Sequence, residues 1–468
     1  MAVNIELNES SSTSAALAQA VSVLQPRDVP VQVMVAASSL LKDWIGVALA
    51  GSQTPQVKKL VALSRDFNPG GPCHILGWDV RTGPQEAALV NGAAGQALDF
   101  DNTSEANNAF ISSPVLPALF ALAKFQKVSA ATFLTAYVAG VEVATKLGIA
   151  LTPEHYDRGW HTTFTTGSIG AAAASSRLLG LDPEATNFAI SIAATQTSGL
   201  RVHFGTEVKA MHAGLGARAG LLGAMAARRG IVASRTALEG RNGYLQMFSG
   251  EAATKAKLSF GVPWSLMDPG PEFRIYPCCQ CIHRPIDALL GIIREHGIRA
   301  EDVESMRCGV SFWTPGVVSY DRPQNGPQAK FSIPYVLARV LASGEGPLLS
   351  DFTDNRVRDP SILPLVERIS IYVHPEIASR SSDFKEFAEL NVQLKSGREL
   401  SKRVYSPRGT KEAPISNADV DRKFLSVMGD LLEQSEVQDL AGALDDFSGL
   451  ADVTAFLDVL PVLSCHRE

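Results

Sequence analysis

The feature that most constrains the fold is the run Arg158–Leu179. Its first part, Arg158-Gly159-Trp160-His161-Thr162-Thr163-Phe164-Thr165-Thr166-Gly167-Ser168-Ile169-Gly170, leads into an alanine-rich stretch from Ala171 to Leu179. Alanine has the best helix propensity, and small side chains let neighbouring helices approach closely, so this stretch is expected to be a buried helix opened by the glycine pair. Ala210 to Arg229 has the same small-residue character. His161 then stands near a helix N-terminus, where unpaired N–H groups and the helix dipole favour an anion. A titratable imidazole beside an anion site is a candidate acid–base centre. The competing reading is a hydrogen-bonded structural histidine.

With 468 residues, two or three domains are expected. The chain is 46% hydrophobic and 19% charged, which permits a large core and argues against disorder. The net charge is -6 and no basic block stands out, so nucleic acid is not an expected partner. An anionic substrate would need a local cluster of cations. Six cysteines do not make a disulfide scaffold in a chain this long. Cys278, Cys279, Cys281 and His283 crowd together, but the spacing lacks a zinc pattern, so no metal is expected. Met1 to Ser12 is polar and reads as a tail without signal-peptide character, and no uncharged apolar run of about 20 residues is seen. The expectation is a cytoplasmic protein with no membrane partner.

Helical spacing recurs from Thr13 to Leu24, Pro30 to Ala50, Pro84 to Leu98, Pro114 to Phe125, Ala130 to Leu151, Pro183 to Gln196 and Ala210 to Arg229. Glu142 and Lys146 read as a surface i,i+4 pair. The character changes near Pro263–Pro277. Strand-like runs follow at Val303–Trp313, Ile369–Val373, Glu389–Leu394 and Glu399–Tyr405, the last two flanking a hairpin signal at Lys395–Arg398. Helices are expected between them at Pro285–His296 and Ser332–Ala342, and again from Asn417 onward. The fold class is therefore mainly α with an inserted α+β domain: a helical domain from residues 1–269 and 409–468, and an α+β lid at 270–408.

No dinucleotide fingerprint, phosphate loop, HExxH motif or nucleophile elbow occurs. Without a cofactor, chemistry falls to side chains, with His161, Lys209, Tyr335 and the acidic loop after Leu98 as acid–base candidates. Arg201, Arg274 and Arg284 are candidate carboxylate clamps, through bidentate hydrogen bonds.

Leu89-Val90-Asn91-Gly92-Ala93-Ala94-Gly95-Gln96-Ala97-Leu98-Asp99-Phe100-Asp101-Asn102-Thr103 resembles the signature of the MmgE/PrpD family, which includes 2-methylcitrate dehydratase, cis-aconitate decarboxylase and iminodisuccinate epimerase. Arg158–Leu181, Gly199–Gly214, Arg274–Cys279 and Ala329–Tyr335 resemble further blocks of that family, in order. The resemblance implies a helical domain with an α+β lid, a homodimer, no cofactor and a small di- or tricarboxylate substrate. It implies catalytic roles for Asp99, His161, Lys209 and Tyr335 and pocket positions for Thr103 and Arg274; Gln96, Arg201 and Arg284 complete the set of candidate substrate contacts. The plain alternatives are a helix cap for Asp99, a surface lysine for Lys209, an ion-paired arginine for Arg274 and a core aromatic for Tyr335.

The chain departs from the pattern His-x-Leu-Asp-Phe-Asp-Asp typical of family members that eliminate water or carbon dioxide. Gln96 stands for the histidine and Asn102 for the last aspartate, and Asn107–Pro114 holds no histidine. Expelling hydroxide needs a general acid. Epimerisation asks for less: a base, an acid on the other face and cations for the enolate-like intermediate. The leading expectation is thus an epimerase of the iminodisuccinate type, with His161 and either Lys209 or Tyr335 as proton carriers. The Gly167–Gly170 helix end would help to hold the carboxylates. A 2-methylcitrate-type hydro-lyase, a cis-aconitate-type decarboxylase and a non-catalytic binding protein are the alternatives.

Overall fold

The computed structural model describes residues 12–256, 258–380 and 384–463. Of the polar tail at Met1–Ser12, only Ser12 falls among them, where its hydroxyl caps a helix over Thr13–Val23. The protein is mainly α-helical with an α+β region. The helices that build the site are α1 (Val31–Gly51), α2 (Pro84–Ala97), α3 (Ala130–Leu151), α4 (Thr162–Leu179) and α5 (Val208–Arg228). The α+β region supplies α6 (His283–His296) and α7 (Ile333–Ser343), and α8 (Asn417–Gly429) follows it.

Helix α5 packs along both α4 and α2, and α4 also packs on α3. Small residues make these approaches possible. A methyl group on Gly214 would lie 1.9 Å from the Leu89 carbonyl oxygen of α2, and one on Gly170 would lie 2.6 Å from the Gly140 carbonyl of α3. Such close backbone contact brings the start of α5 beside the end of α2.

One large hydrophobic cluster draws residues from between Leu17 and Leu266 and from between Phe424 and Leu463, with two smaller clusters around Val57–Ala94 and around Phe188 and Ala224. Residues from between Tyr276 and Leu400 form a second large cluster. Helix α8 returns to pack on α1. By length and composition, α1 and α3 could each cross a membrane, and both are mostly buried inside this protein.

The α+β region carries a sheet of β1 (Val303–Val310), β2 (Ile369–Val373), β3 (Ala388–Leu394) and β4 (Glu399–Val404) in the order β2-β1-β3-β4. Strand β2 runs parallel to β1, while β3 and β4 form an antiparallel hairpin turned at Gly397. Alternate residues of β3 are buried, as expected for a sheet with one covered face, and α6 packs against β3 and β4.

Two expectations need correction. Helix α4 begins at Thr162, not at the glycine pair, so Gly167 and Gly170 lie inside it. The hydroxyls of Thr166 and Ser168 bond back to the carbonyls of Thr162 and Phe164, which offsets the polar cost of burying those two hydroxyls. Glu142 is not on the surface either. It is buried and accepts the backbone N–H groups of Gly261 and Ser265, while Lys146 stays 3.7 Å from it, as the i,i+4 spacing predicts, and also donates to the Pro263 carbonyl.

Candidate active site

Helix α2 ends at Ala97, and Asp99 follows in the left-handed conformation at φ 53°, a region that aspartate tolerates better than most residues. The turn carries the Asp99 carboxylate between two cations. Lys209, in the first turn of α5, donates to it at 2.8 Å, and Arg274 donates through Nη1 to the other oxygen. Arg274 also reaches the carbonyls of Asp99 at 2.9 Å and Cys278 at 3.2 Å. It arrives there because Thr103 and Glu272 exchange backbone hydrogen bonds of 3.0 and 2.8 Å, which ties its strand to the loop after Asp99.

All three groups are buried. Burial alone would push the Asp99 carboxyl up, but Lys209 and Arg274 outweigh it and hold the group below the usual carboxylate range. Burial likewise opposes the Arg274 charge, and Asp99 more than restores it. Lys330 lies close enough to feel the same carboxylate. Burial brings its pKa down to about 8 and Asp99 acts in the opposite direction. Three basic side chains thus surround one ionised carboxylate, an arrangement that favours an incoming anion.

A cleft opens beside this cluster, with about 590 Å³ of space outside protein atoms. His161 reaches it from the N-cap of α4. Its Nδ1 lies 2.9 Å from Nδ1 of His212, and its ring meets the Phe204 ring edge to face. Burial keeps His161 well below the ordinary imidazole pKa, with His212 and Lys209 adding to the effect. Burial brings His212 down to about 4, helped by His203 and Lys209. Both rings are neutral at pH 7, so one Nδ1 donates and the other accepts.

The remaining candidates divide. Thr103 lines the cleft and its hydroxyl faces Glu272 at 3.4 Å. Arg284 also lines it, but its Nη2 donates to both oxygens of Glu105, at 2.8 and 2.9 Å, and its Nε donates to the Tyr405 carbonyl at 2.7 Å. Arg201 does not line the cleft. It bonds the Tyr156 carbonyl and stacks 3.8 Å above the Tyr156 ring, which does line it.

Tyr335 is not brought to the site. It sits on α7 in the core of the α+β region and its hydroxyl donates to the Asp351 carbonyl, so it is not placed to carry a proton. Gln96 lines a different cavity on the far side of Asp99.

Sequence reasoning did not select His212, Tyr156, Cys279, Cys281, Glu105 or Lys330. His212 had a signal, since it follows Lys209 at i,i+3 and the two share a helix face. The other positions depend on long-range packing. Among the described residues, no group of three or more histidine, cysteine, aspartate or glutamate side chains is arranged to hold a metal ion.

Residues 15–257 match the MmgE/PrpD N-terminal domain and residues 276–446 the MmgE/PrpD C-terminal domain. The chain is 29% identical to a cis-aconitate decarboxylase-like protein, oryM, of Aspergillus oryzae, across 96% of this chain and 97% of that protein. It is 27% identical to a cis-aconitate decarboxylase of Aspergillus terreus, across 97% and 96% of the two chains. It is 24% identical to the human cis-aconitate decarboxylase, across 90% and 89%. The finer expectation of an iminodisuccinate epimerase finds no support in these relatives. With both domain models matched in order over the two lobes that form the cleft, the chain belongs to the MmgE/PrpD family.

Proposed function

We propose that this chain is a cofactor-independent carboxy-lyase that removes carbon dioxide from a small unsaturated tricarboxylate of the cis-aconitate type. The observation that carries the reading is the buried pair of cations, Lys209 and Arg274, held on one carboxylate beside His161. The relatives' names supply the reaction class.

Loss of carbon dioxide from an allylic carboxylate leaves an electron pair that shifts through the double bond. It comes to rest on the carbon beside a second carboxylate, as an enediolate. In this reading Lys209 and Arg274 hold that carboxylate as charge develops on it, since preorganised cations are effective stabilisers of such charge. The step ends when a proton reaches the carbon. His161 is the imidazole that lines the cleft. It is neutral without ligand, and a bound polyanion raises its proton affinity, so substrate binding loads the acid that the reaction needs.

A second reading, inversion of a carbon beside a carboxylate, draws on one observation. Asn108, Ala109 and Phe110 line the cleft where a second proton-donating histidine would otherwise be sought. A hydro-lyase is less favoured, because among the described residues no imidazole besides His161 lines the cleft to protonate a leaving hydroxide.

Proton NMR in heavy water separates the three, using cis-aconitate, 2-methylcitrate and the iminodisuccinate stereoisomers. Carbon dioxide release with a new methylene signal from cis-aconitate supports the carboxy-lyase. Interconversion of iminodisuccinate isomers without such release moves the assignment to an epimerase. New olefinic signals from 2-methylcitrate move it to a hydro-lyase.

A further inference from the structure

Behind the Asp99–Lys209 ion pair lies a second cavity, open to solvent, with about 1820 Å³ of space outside protein atoms. It is walled by Gln96 and Lys209 from the helical lobe and by Asn325, Lys330 and Thr353 from the α+β region. Asp99, Lys209 and Phe331 are shared with the first cleft, so the two sites stand back to back.

Two buried side chains in this cavity lack suitable partners. Gln96 is only 2% exposed, and neither its amide nitrogen nor its oxygen has a hydrogen-bond partner among the described residues. Lys330 is 9% exposed and donates to the Ala97 carbonyl at 3.2 Å, with no carboxylate of the described residues in ion-pair reach. The acidic side chains on the rim are already engaged. Glu207 takes Lys59 at 2.7 Å, and Asp354 takes the Gly326 N–H at 2.9 Å. A buried amide without a partner, and a buried ammonium whose one nearby carboxylate, Asp99, is already held by Lys209 and Arg274, each carry a free-energy cost that a bound anion lowers.

We infer that this cavity is a binding site for a small carboxylate, held by the Lys330 ammonium and the Gln96 amide, separate from the cleft that contains His161. The inference does not depend on which reaction the first cleft performs. A carboxylate there sits across Lys209 from the first cleft, so occupancy of one site changes affinity at the other.

Isothermal titration with propane-1,2,3-tricarboxylate, a saturated and unreactive probe, tests it on the full chain. Two classes of site are expected in the unmodified protein. Lys330→Gln and Gln96→Leu should each weaken one class at least tenfold, and Arg274→Gln should weaken the other. A single class that ignores Lys330→Gln overturns the proposal. If Lys330→Gln does not fold, Thr353→Trp at the exposed rim should remove the same class by filling the mouth, and retention of both classes overturns the proposal. If only the Arg274-dependent class is missing, the reaction reading fails and the second site stands.

Discussion

At the residue scale, the balance of buried charge is the most informative quantity. Asp101 lies two residues after Asp99 and is just as buried, but it meets the Ser113 hydroxyl instead of a cation. Burial raises its pKa to about 7. The unfolded value is near 3.8, so the native state holds this proton more tightly. That contribution to stability is complete below the unfolded pKa and is lost as pH rises through about 7. The loss runs at about 1.4 kcal/mol for each pH unit over which the native state keeps the proton and the unfolded state has released it. Asp101→Asn removes the titration. Its melting temperature relative to the unmodified protein should therefore rise between pH 5 and pH 8, and a flat difference contradicts the assignment. Tyr335 gives a second test. Tyr335→Phe removes one hydrogen bond to the Asp351 carbonyl and should cost about 1 kcal/mol in chemical denaturation. Turnover should change by less than about threefold, since the hydroxyl is remote from the cleft. A hundredfold loss of kcat would return Tyr335 to the catalytic set.

At the element scale, helix registers decide which side chains meet. Lys209 and His212 reach the site because α5 is pressed onto α2 at Gly214. Gly214→Ala puts a methyl 1.9 Å from the Leu89 carbonyl, so α5 must shift. Overpacking of this kind costs about 1–3 kcal/mol. The variant should lose both thermal stability and turnover, and normal kcat with normal stability would show that α5 tolerates the displacement.

Most helices are legible in the sequence because their apolar spacing and Pro or Gly stops are local properties; Ala130–Leu151 needs no other information. The start of α4 is not legible in that way. A Thr-Thr-Phe-Thr-Thr run argues against helix on propensity, and only burial with back-bonded hydroxyls reverses that. The site is legible at Asp99, His161, Lys209 and Arg274, which short motifs mark. It is not legible at Lys330, whose role comes from the way two lobes close on one carboxylate. Gln96 precedes Asp99 by three residues within the same motif, which suggests that both face substrate. Asp99, in its left-handed turn, lines both cavities, whereas Gln96 lines only the second.

At the scale of the whole molecule, the cleft has walls from both lobes, with His161 and Lys209 on one side and Trp313 and Phe331 on the other. A ligand held there stabilises the contact between lobes as well as each lobe. At a hundred times its dissociation constant, a ligand that binds only the native state contributes about 2.7 kcal/mol. Saturating tricarboxylate should move the melting transition upward as one cooperative step. Movement of only part of a split transition would show that the ligand engages one lobe alone.

In the proposed reaction, His161 delivers a proton to the carbon beside the second carboxylate, where the electron pair left by carbon dioxide comes to rest. This role is tested most directly by following carbon dioxide release from cis-aconitate in heavy water with the unmodified enzyme and with His161→Ala. One deuteron should be placed in the product for each carbon dioxide released. A His161→Ala protein that remains folded by circular dichroism should lose about a hundredfold or more in kcat. Unchanged turnover and deuteration in His161→Ala, or no carbon dioxide from the unmodified enzyme, would contradict that role.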